Sequence, residues 1–179
     1  PSISFPFTLF DSSPISDGAA AVILTKKSAK KGVSITGSFV ATDTIGLAQR
    51  ANLTELAATK IASQIALKQA GVSLSDIDVL EVHDCFTIAE IMAMEDLGFC
   101  EKGEGGEFVA SGQTRLGNKM PVNTSGGLKA CGHPVAATGV KQIVEITQQL
   151  RGAAGERQVK KAKVGLTHNV GGTGATVVV

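Results

Sequence analysis

The chain has 179 residues, 43% of them hydrophobic, and a formal net charge of +1. That is enough for one ordinary buried core, and the near-neutral charge gives no electrostatic case for nucleic acid. Seven Phe stand without Trp or Tyr, and apolar runs reach only about six residues against the ~20 that span a bilayer, so base stacking and membrane helices are not indicated. No charged start followed by an apolar stretch reads as a secretory leader. Cys85, Cys100 and Cys131 are odd in number and widely spaced, which points to a reducing, cytoplasmic setting rather than a disulfide framework. Neither a CxxC nor a four-ligand set for zinc is present. Residue 1 is Pro and the last residues read as an interrupted strand, so the chain is expected to be a piece of something longer.

In chain order, 18–25 reads as a buried strand and 26–31 as a charged helical turn closed by Gly32. Residues 33–41 have strand content. Asn52 with Glu55 reads as a capping box opening a helix to about Ala70 that buries Leu53, Ala57, Ile61 and Ile65 and stops at Gly71. Residues 77–82 form a short strand. A helix over 86–97 places Ile88, Ile91, Met92 and Glu95 on one side, and Gly98 ends it. Residues 101–121 read as a loop, with room for a strand pair, longer than connections usually are. Pro134 suits the first position of a helix whose buried face is Val140, Ile143, Val144, Thr147 and Leu150. Residues 161–167 and 175–179 make a final hairpin around Gly171-Gly172-Thr173-Gly174. Alternating strands and helices give an α/β layered domain with a mixed sheet.

The chemistry concentrates in three places that hold all three histidines. His83-Asp84-Cys85-Phe86 lies where a strand hands over to a helix, the edge at which open α/β sheets bind ligands. Gly132-His133-Pro134 delivers a histidine to a helix start, whose dipole favours neutral imidazole, able to take a proton or hydrogen-bond an oxyanion. His168-Asn169-Val170-Gly171-Gly172 ends in a turn whose backbone N–H groups can hold an anion. Each has a plain reading as well: a capping histidine, a small buried thiol, ordinary hairpin glycines. The combination points to part of an active site.

Taken together, HDCF at 83–86, NTSGG at 123–127, GHP at 132–134 and HNVGGTG at 168–174 resemble the C-terminal half of a thiolase. The likeness is to the sterol-carrier-protein thiolases and related archaeal and bacterial members, and it covers essentially all of 1–179 as one domain. It implies a βαβαβαββ half with a five-stranded mixed sheet and helices on both faces. It implies acyl transfer and Claisen condensation or thiolysis of 3-ketoacyl-CoA, in lipid metabolism, through an acyl-cysteine in an N-terminal half that this chain does not contain. The isolated chain is therefore expected to be inactive. Coenzyme A thioesters are the substrates and no cofactor is held covalently. His133 then activates the nucleophile and Cys85 is the acid/base, its thiol expected to be tuned downward by His83 or the helix start. His83 takes the place of the Asn that other thiolases carry, and His168 stands where those enzymes keep their second cysteine. Gly172 completes an oxyanion hole, and Gly126, Gly127 and Asn169 contact substrate. Where the family usually has Gly after GHP-x, this chain has Ala136. Expected partners are acyl-CoA, the N-terminal half of the same polypeptide, and further copies in a dimer or tetramer, in the cytoplasm or a peroxisome. The alternatives are a non-catalytic thiolase-fold subunit, an acyl-CoA-binding scaffold, or the partner of a thiolase-like aldolase.

Overall fold

The computed structural model describes residues 2–26 and 32–179, with backbone only at Thr176 and Val178. A small hairpin, β1 (Ser2–Ser4) with β2 (Phe7–Thr8), comes first. The main sheet runs β3-β6-β5-β4, from β3 (Val40–Thr42), β6 (Thr176–Val178), β5 (Gly165–Gly171) and β4 (Val79–Val82). β4 and β5 are parallel; the pairs β5–β6 and β6–β3 are antiparallel, so the expected final hairpin forms.

Five strands were expected, and among the described residues the sheet has four. Beyond β4 only a single parallel bridge joins Leu80 to Val122. The cause is Asn123, whose backbone turns left-handed at φ 50°. Its N–H donates to the Leu80 carbonyl (2.8 Å) and its Oδ1 accepts the Val82 N–H (2.8 Å), so a side chain replaces the next rung of the ladder. Asn tolerates that backbone better than most residues. Counting the bridge and only the helices of eight residues or more, the order from β3 onward is strand, helix, strand, helix, bridge, helix, strand, strand.

Helices cover both faces. Leu80 and Val82 face α1 (Ala57–Ala70) and α2 (Thr87–Leu97), in a core with Ala58, Ala62, Ala66, Ala93, Met94, Leu97 and Leu166. Val79 faces Ile146 on α5 (Thr138–Leu150). Burying a side chain the size of Leu80 or Met94 stabilises by about 1.5–3 kcal/mol each, and both are fully enclosed.

Several local expectations shift. Residues 18–25 are irregular and largely exposed, with Ile23 at 93%, rather than a buried strand. The turn expected over 26–31 lies outside the described residues from 27 on. Of 33–41 only the last two residues belong to β3. Asn52 caps a local turn, accepting the Thr54 N–H (2.9 Å), and α1 starts later, where Asp96 accepts the Leu56 N–H from across the core (2.8 Å). α1 buries Ala58, Thr59, Ala62, Ser63 and Ala66; of the residues expected on its buried face, Ile61 is exposed, Ala57 and Ile65 are half-buried, and Leu53 precedes the helix and is exposed. On α2 the most enclosed residues are Ala93, Met94, Asp96 and Leu97, one step round from the expected side. The long connection after α2 contains α3 (Gly105–Ala110) instead of a strand pair.

α5 differs most. Pro134 opens a turn, its carbonyl accepting the N–H groups of Ala137 (3.0 Å) and Thr138 (3.3 Å), and the helix begins at Thr138. Its buried side is Gln142, Glu145, Ile146 and Gln149, whereas the expected apolar stripe is only half-buried. Ile143, Val144 and Leu150 of that stripe line a cavity of about 590 Å³ together with Val22, Leu24 and Ile35. Among the described residues no helix is long and apolar enough to cross a membrane.

Candidate active site

His83 follows directly on β4. The parallel register sets Val82 against His168, which brings the next residues, His83 and Asn169, side by side. His83 Nδ1 and Asn169 Oδ1 are 2.7 Å apart. An amide oxygen only accepts, so Nδ1 carries the hydrogen and Nε2 keeps its lone pair. Burial pulls the His83 pKa down, more than the Asn169 hydrogen bond raises it. The ring is therefore neutral near pH 7.

His133 arrives from the other side. The motif NTSGG turns into the short helix α4 (Gly127–Cys131), and Gly132 delivers His133 to the turn before α5. Its Nδ1 lies 2.7 Å from Thr138 Oγ1, and that hydroxyl in turn donates to the Pro134 carbonyl (3.4 Å). The ring is left donating through Nδ1, with Nε2 free to accept. The two imidazoles meet edge to face, their centroids 4.8 Å apart and their planes at 89°.

Both rings line one cleft of about 360 Å³, with Ala136, Thr138, Asn169, Gly171 and Gly172 in its wall. The larger cavity behind α5 is lined by no histidine or cysteine, whereas the smaller cleft is lined by both His83 and His133. Of the residues singled out from sequence, His83, His133, Asn169 and Gly172 come together here. Cys85 is half-buried next to the cleft-lining His83 but does not itself line the cleft, and its carbonyl accepts the Ser13 N–H (2.8 Å). Burial pushes the Cys85 thiol up, the opposite of the expected downward tuning, and Asp84 adds to the rise. Gly126 and Gly127 sit at the start of α4, away from the cleft wall. His168 points through the sheet to the α1 side, where its Nε2 lies 3.0 Å from Thr59 Oγ1. At 1% exposure, with burial holding its pKa at about 3, it is a neutral core residue.

Some contributors were not anticipated. Thr138 orients His133. Asp84 and Glu81 bind the backbone of the NTSGG turn and α4: Asp84 accepts from Leu128 N–H (2.7 Å), and Glu81 from Ser125 N–H (3.1 Å) and Oγ (2.7 Å). A signal for Asp84 existed, since a short glycine-led helix needs an acceptor for its first N–H groups.

A family model described as "Thiolase C-terminal domain-like" matches residues 40–179. An acetyl-CoA acetyltransferase from Methanothermobacter thermautotrophicus is 50% identical over 99% of this chain and 48% of its own length. Sterol carrier protein 2 from Bos taurus is 40% identical over 96% of this chain and 33% of its own. A solved structure of an Ltp2-ChsH2(DUF35) aldolase superposes with a TM-score of 0.68 and 25% identity, covering 80% of this chain and 38% of that one. The chain spans about half the length, or less, of the curated relatives it matches. It belongs to the thiolase family, as a C-terminal domain of that family.

Proposed function

We propose that this chain supplies the C-terminal half of a thiolase acting on acyl-CoA, with the acyl-cysteine formed on an N-terminal half of the same polypeptide. The observation that carries the reading is the pair of imidazoles, His83 and His133, meeting at 4.8 Å in one cleft with Asn169 and the Gly171–Gly172 turn. In the acylation step, His133 Nε2 takes the proton of the nucleophilic thiol as its sulfur attacks the thioester carbonyl carbon. The resulting imidazolium donates to the oxyanion. On collapse the bond to CoA sulfur breaks and that sulfur recovers the proton. An oxyanion donor of this kind contributes about 2.7–4 kcal/mol, and Gly172 N–H is the second candidate.

The second half-reaction falls to Cys85. In condensation its thiolate takes a proton from the methyl carbon of acetyl-CoA, and the carbanion attacks the carbonyl carbon of the acyl-cysteine, forming the C–C bond as the C–S bond to the nucleophilic cysteine breaks and frees its thiolate. In thiolysis Cys85 as thiol returns that proton to the departing carbon. A thiol held up by burial rests protonated, which suits the cleavage direction. Assembly as a dimer or tetramer, in the cytoplasm or a peroxisome, is part of the same reading.

The test is acyl-enzyme trapping in the complete polypeptide with labelled acetyl-CoA, counted by mass spectrometry. His133→Ala should slow acylation by roughly 10²–10⁴. Cys85→Ala should leave acylation intact and abolish condensation. Normal condensation by Cys85→Ala would overturn its assignment. A complete protein that never acylates would favour the second reading, an aldolase partner, which the likeness to the Ltp2-ChsH2(DUF35) aldolase motivates. Retro-aldol cleavage of an acyl-CoA substrate would then be the activity to assay.

A further inference from the structure

We propose that Asp84 is a positioning residue, locking the His83 loop to α4 and so fixing the meeting of His83 with His133; its catalytic consequence rests on the thiolase reading above. The two histidines reach the cleft on unrelated segments. His83 comes off the sheet at the end of β4, and His133 comes off α4 through Gly132. Nothing in the pairing of strands fixes one against the other. Asp84, next to His83 in the chain, turns its carboxyl away from the cleft and onto the start of α4. Its Oδ1 accepts the Leu128 N–H at 2.7 Å, and its Oδ2 lies 3.5 Å from the Lys129 nitrogen. The side chain is enclosed, with only 4% of the residue exposed. It therefore behaves as a short rigid strut between the two histidine-bearing segments.

The fit on the α4 side is close. Gly127 has φ +61°, and a Cβ placed on it would lie 2.2 Å from Asp84 Oδ2. No side chain fits between them, so α4 sits directly on the carboxyl group. Glu81, two residues before His83, makes the parallel connection to Ser125 through N–H and Oγ. The sheet edge thus holds the NTSGG turn at one point through Glu81, and Asp84 holds the helix that leads to His133. Removing Asp84 leaves the Glu81 contact to preserve the fold while α4 gains freedom to pivot. Asn at this position keeps one acceptor for Leu128 N–H.

The experiment has two independent readouts. The first is proton NMR of histidine-labelled protein, in which edge-to-face contact shifts the ring protons of His83 and His133 through each other's ring current; His→Gln variants assign the three histidines. In Asp84→Ala both shifts should collapse toward free-imidazole positions, while a thermal melt shows the protein still folded at the NMR temperature. Asp84→Asn should keep them. Gly127→Ala should disturb them from the opposite side. The second readout is kcat per acylated active site in the complete enzyme. It should fall about 10- to 100-fold in Asp84→Ala with KM within about 2-fold, and recover to within about 3-fold in Asp84→Asn. A purely structural Asp84 would lower the amount of folded enzyme but leave kcat per titrated site and both ring shifts unchanged, and that result overturns the proposal. If Asp84→Ala does not fold, Gly127→Ala with unmoved histidine resonances overturns it as well. If the parent protein never acylates, the thiolase reading fails while the NMR readout still decides the role of Asp84.

Discussion

The two faces of the sheet are built on different principles. Against α1 and α2 the contact is mainly small and apolar, and we call it the dry face: Ala58, Ala62, Ala66 and Ala93 let the helices approach, Met94, Leu80 and Val82 are fully enclosed, and Thr59 with His168 is a buried polar pair among them. Against α5 the contact is largely polar, apart from Ile146 packed on Val79. Gln149 Nε2 donates to Thr124 Oγ1 (3.0 Å) and the Arg157 carbonyl (2.8 Å), its Oε1 accepts the Val159 N–H (2.8 Å), and Glu145 meets Arg157 at 2.9 Å. Both histidines of the cleft are on the polar side, and His168, turned to the dry side, is withdrawn from it. A dry face tolerates little loss of volume, whereas a polar face keeps fixed donors and acceptors beside the two histidines at the cost of needing all of them satisfied.

Emptying the dry face should produce the largest effect. Met94→Ala removes a fully enclosed side chain from among alanines that cannot expand to replace it. It should destabilise by about 2–5 kcal/mol, measured by denaturant titration. A loss below about 1 kcal/mol would mean that this face packs less tightly than its zero exposure implies.

Glu90 tests the seam between the faces, on α2. Burial, then Asp84, and more weakly Glu81, raise its pKa from 4.5 to about 7, against one hydrogen bond from Asn123. The folded protein therefore binds a proton that the unfolded chain has released between those values. Stability should fall as pH rises from about 4.5 to about 7 and level off above, by about 3 kcal/mol in total. Glu90→Gln should match the parent at pH 4.5 and melt higher at pH 8. Equal melting temperatures at pH 8 would show that the carboxyl finds solvent.

The same contrast explains what the sequence could and could not reveal. Helices α1 and α2 and their stops at Gly71 and Gly98 were legible, because left-handed caps are local chemistry. The meeting of His83 and His133 was legible from their motifs, whereas the turn of His168 to the α1 side was not. The start of α1 was not, because its first N–H is held by Asp96, 40 residues away. Nor was Glu81, whose partner lies 44 residues on; for Asp84 only the need of α4 for an acceptor was legible, not that a residue 44 positions earlier meets it. The buried face of α5 was misjudged because apolar periodicity assumes an apolar neighbour, and here the buried side of the helix is met by the Thr124 hydroxyl, the Arg157 carbonyl and the Val159 N–H as well as by Val79. The apolar stripe faces the cavity instead.

That reversal can be checked on α5 itself. Gln149→Leu is nearly isosteric and would be harmless or favourable on a dry face. On this one it strands the Val159 N–H and the Arg157 carbonyl, and should cost about 2 kcal/mol. The expected apolar position Val144, by contrast, should accept Thr with less than about 1 kcal/mol lost, since it is only half-buried. Equal costs at the two positions would remove the distinction between the faces.

The smallest effect is the most specific to the site. Ala136, in the cleft wall, has φ +71°, a left-handed backbone that an L side chain enters at a cost of about 1–2 kcal/mol. Gly71, which ends α1 on the dry face, has nearly the same angle, φ +68°, with no atom within 4 Å of where a Cβ would go. The two positions pose the same conformational problem and carry opposite residues. Glycine gives back about 0.5–1 kcal/mol of the strain relief as extra chain entropy. Ala136→Gly should therefore stabilise by roughly 0.5–1 kcal/mol, and Gly71→Ala should destabilise by a similar amount. Paired thermal melts at fixed pH read both. If Ala136→Gly is neutral or destabilising while Gly71→Ala behaves as stated, then the methyl group of Ala136 makes a favourable contact in the cleft that outweighs its strain. In that case the methyl group at 136 is part of the shape of the cleft wall rather than a strain the fold merely tolerates.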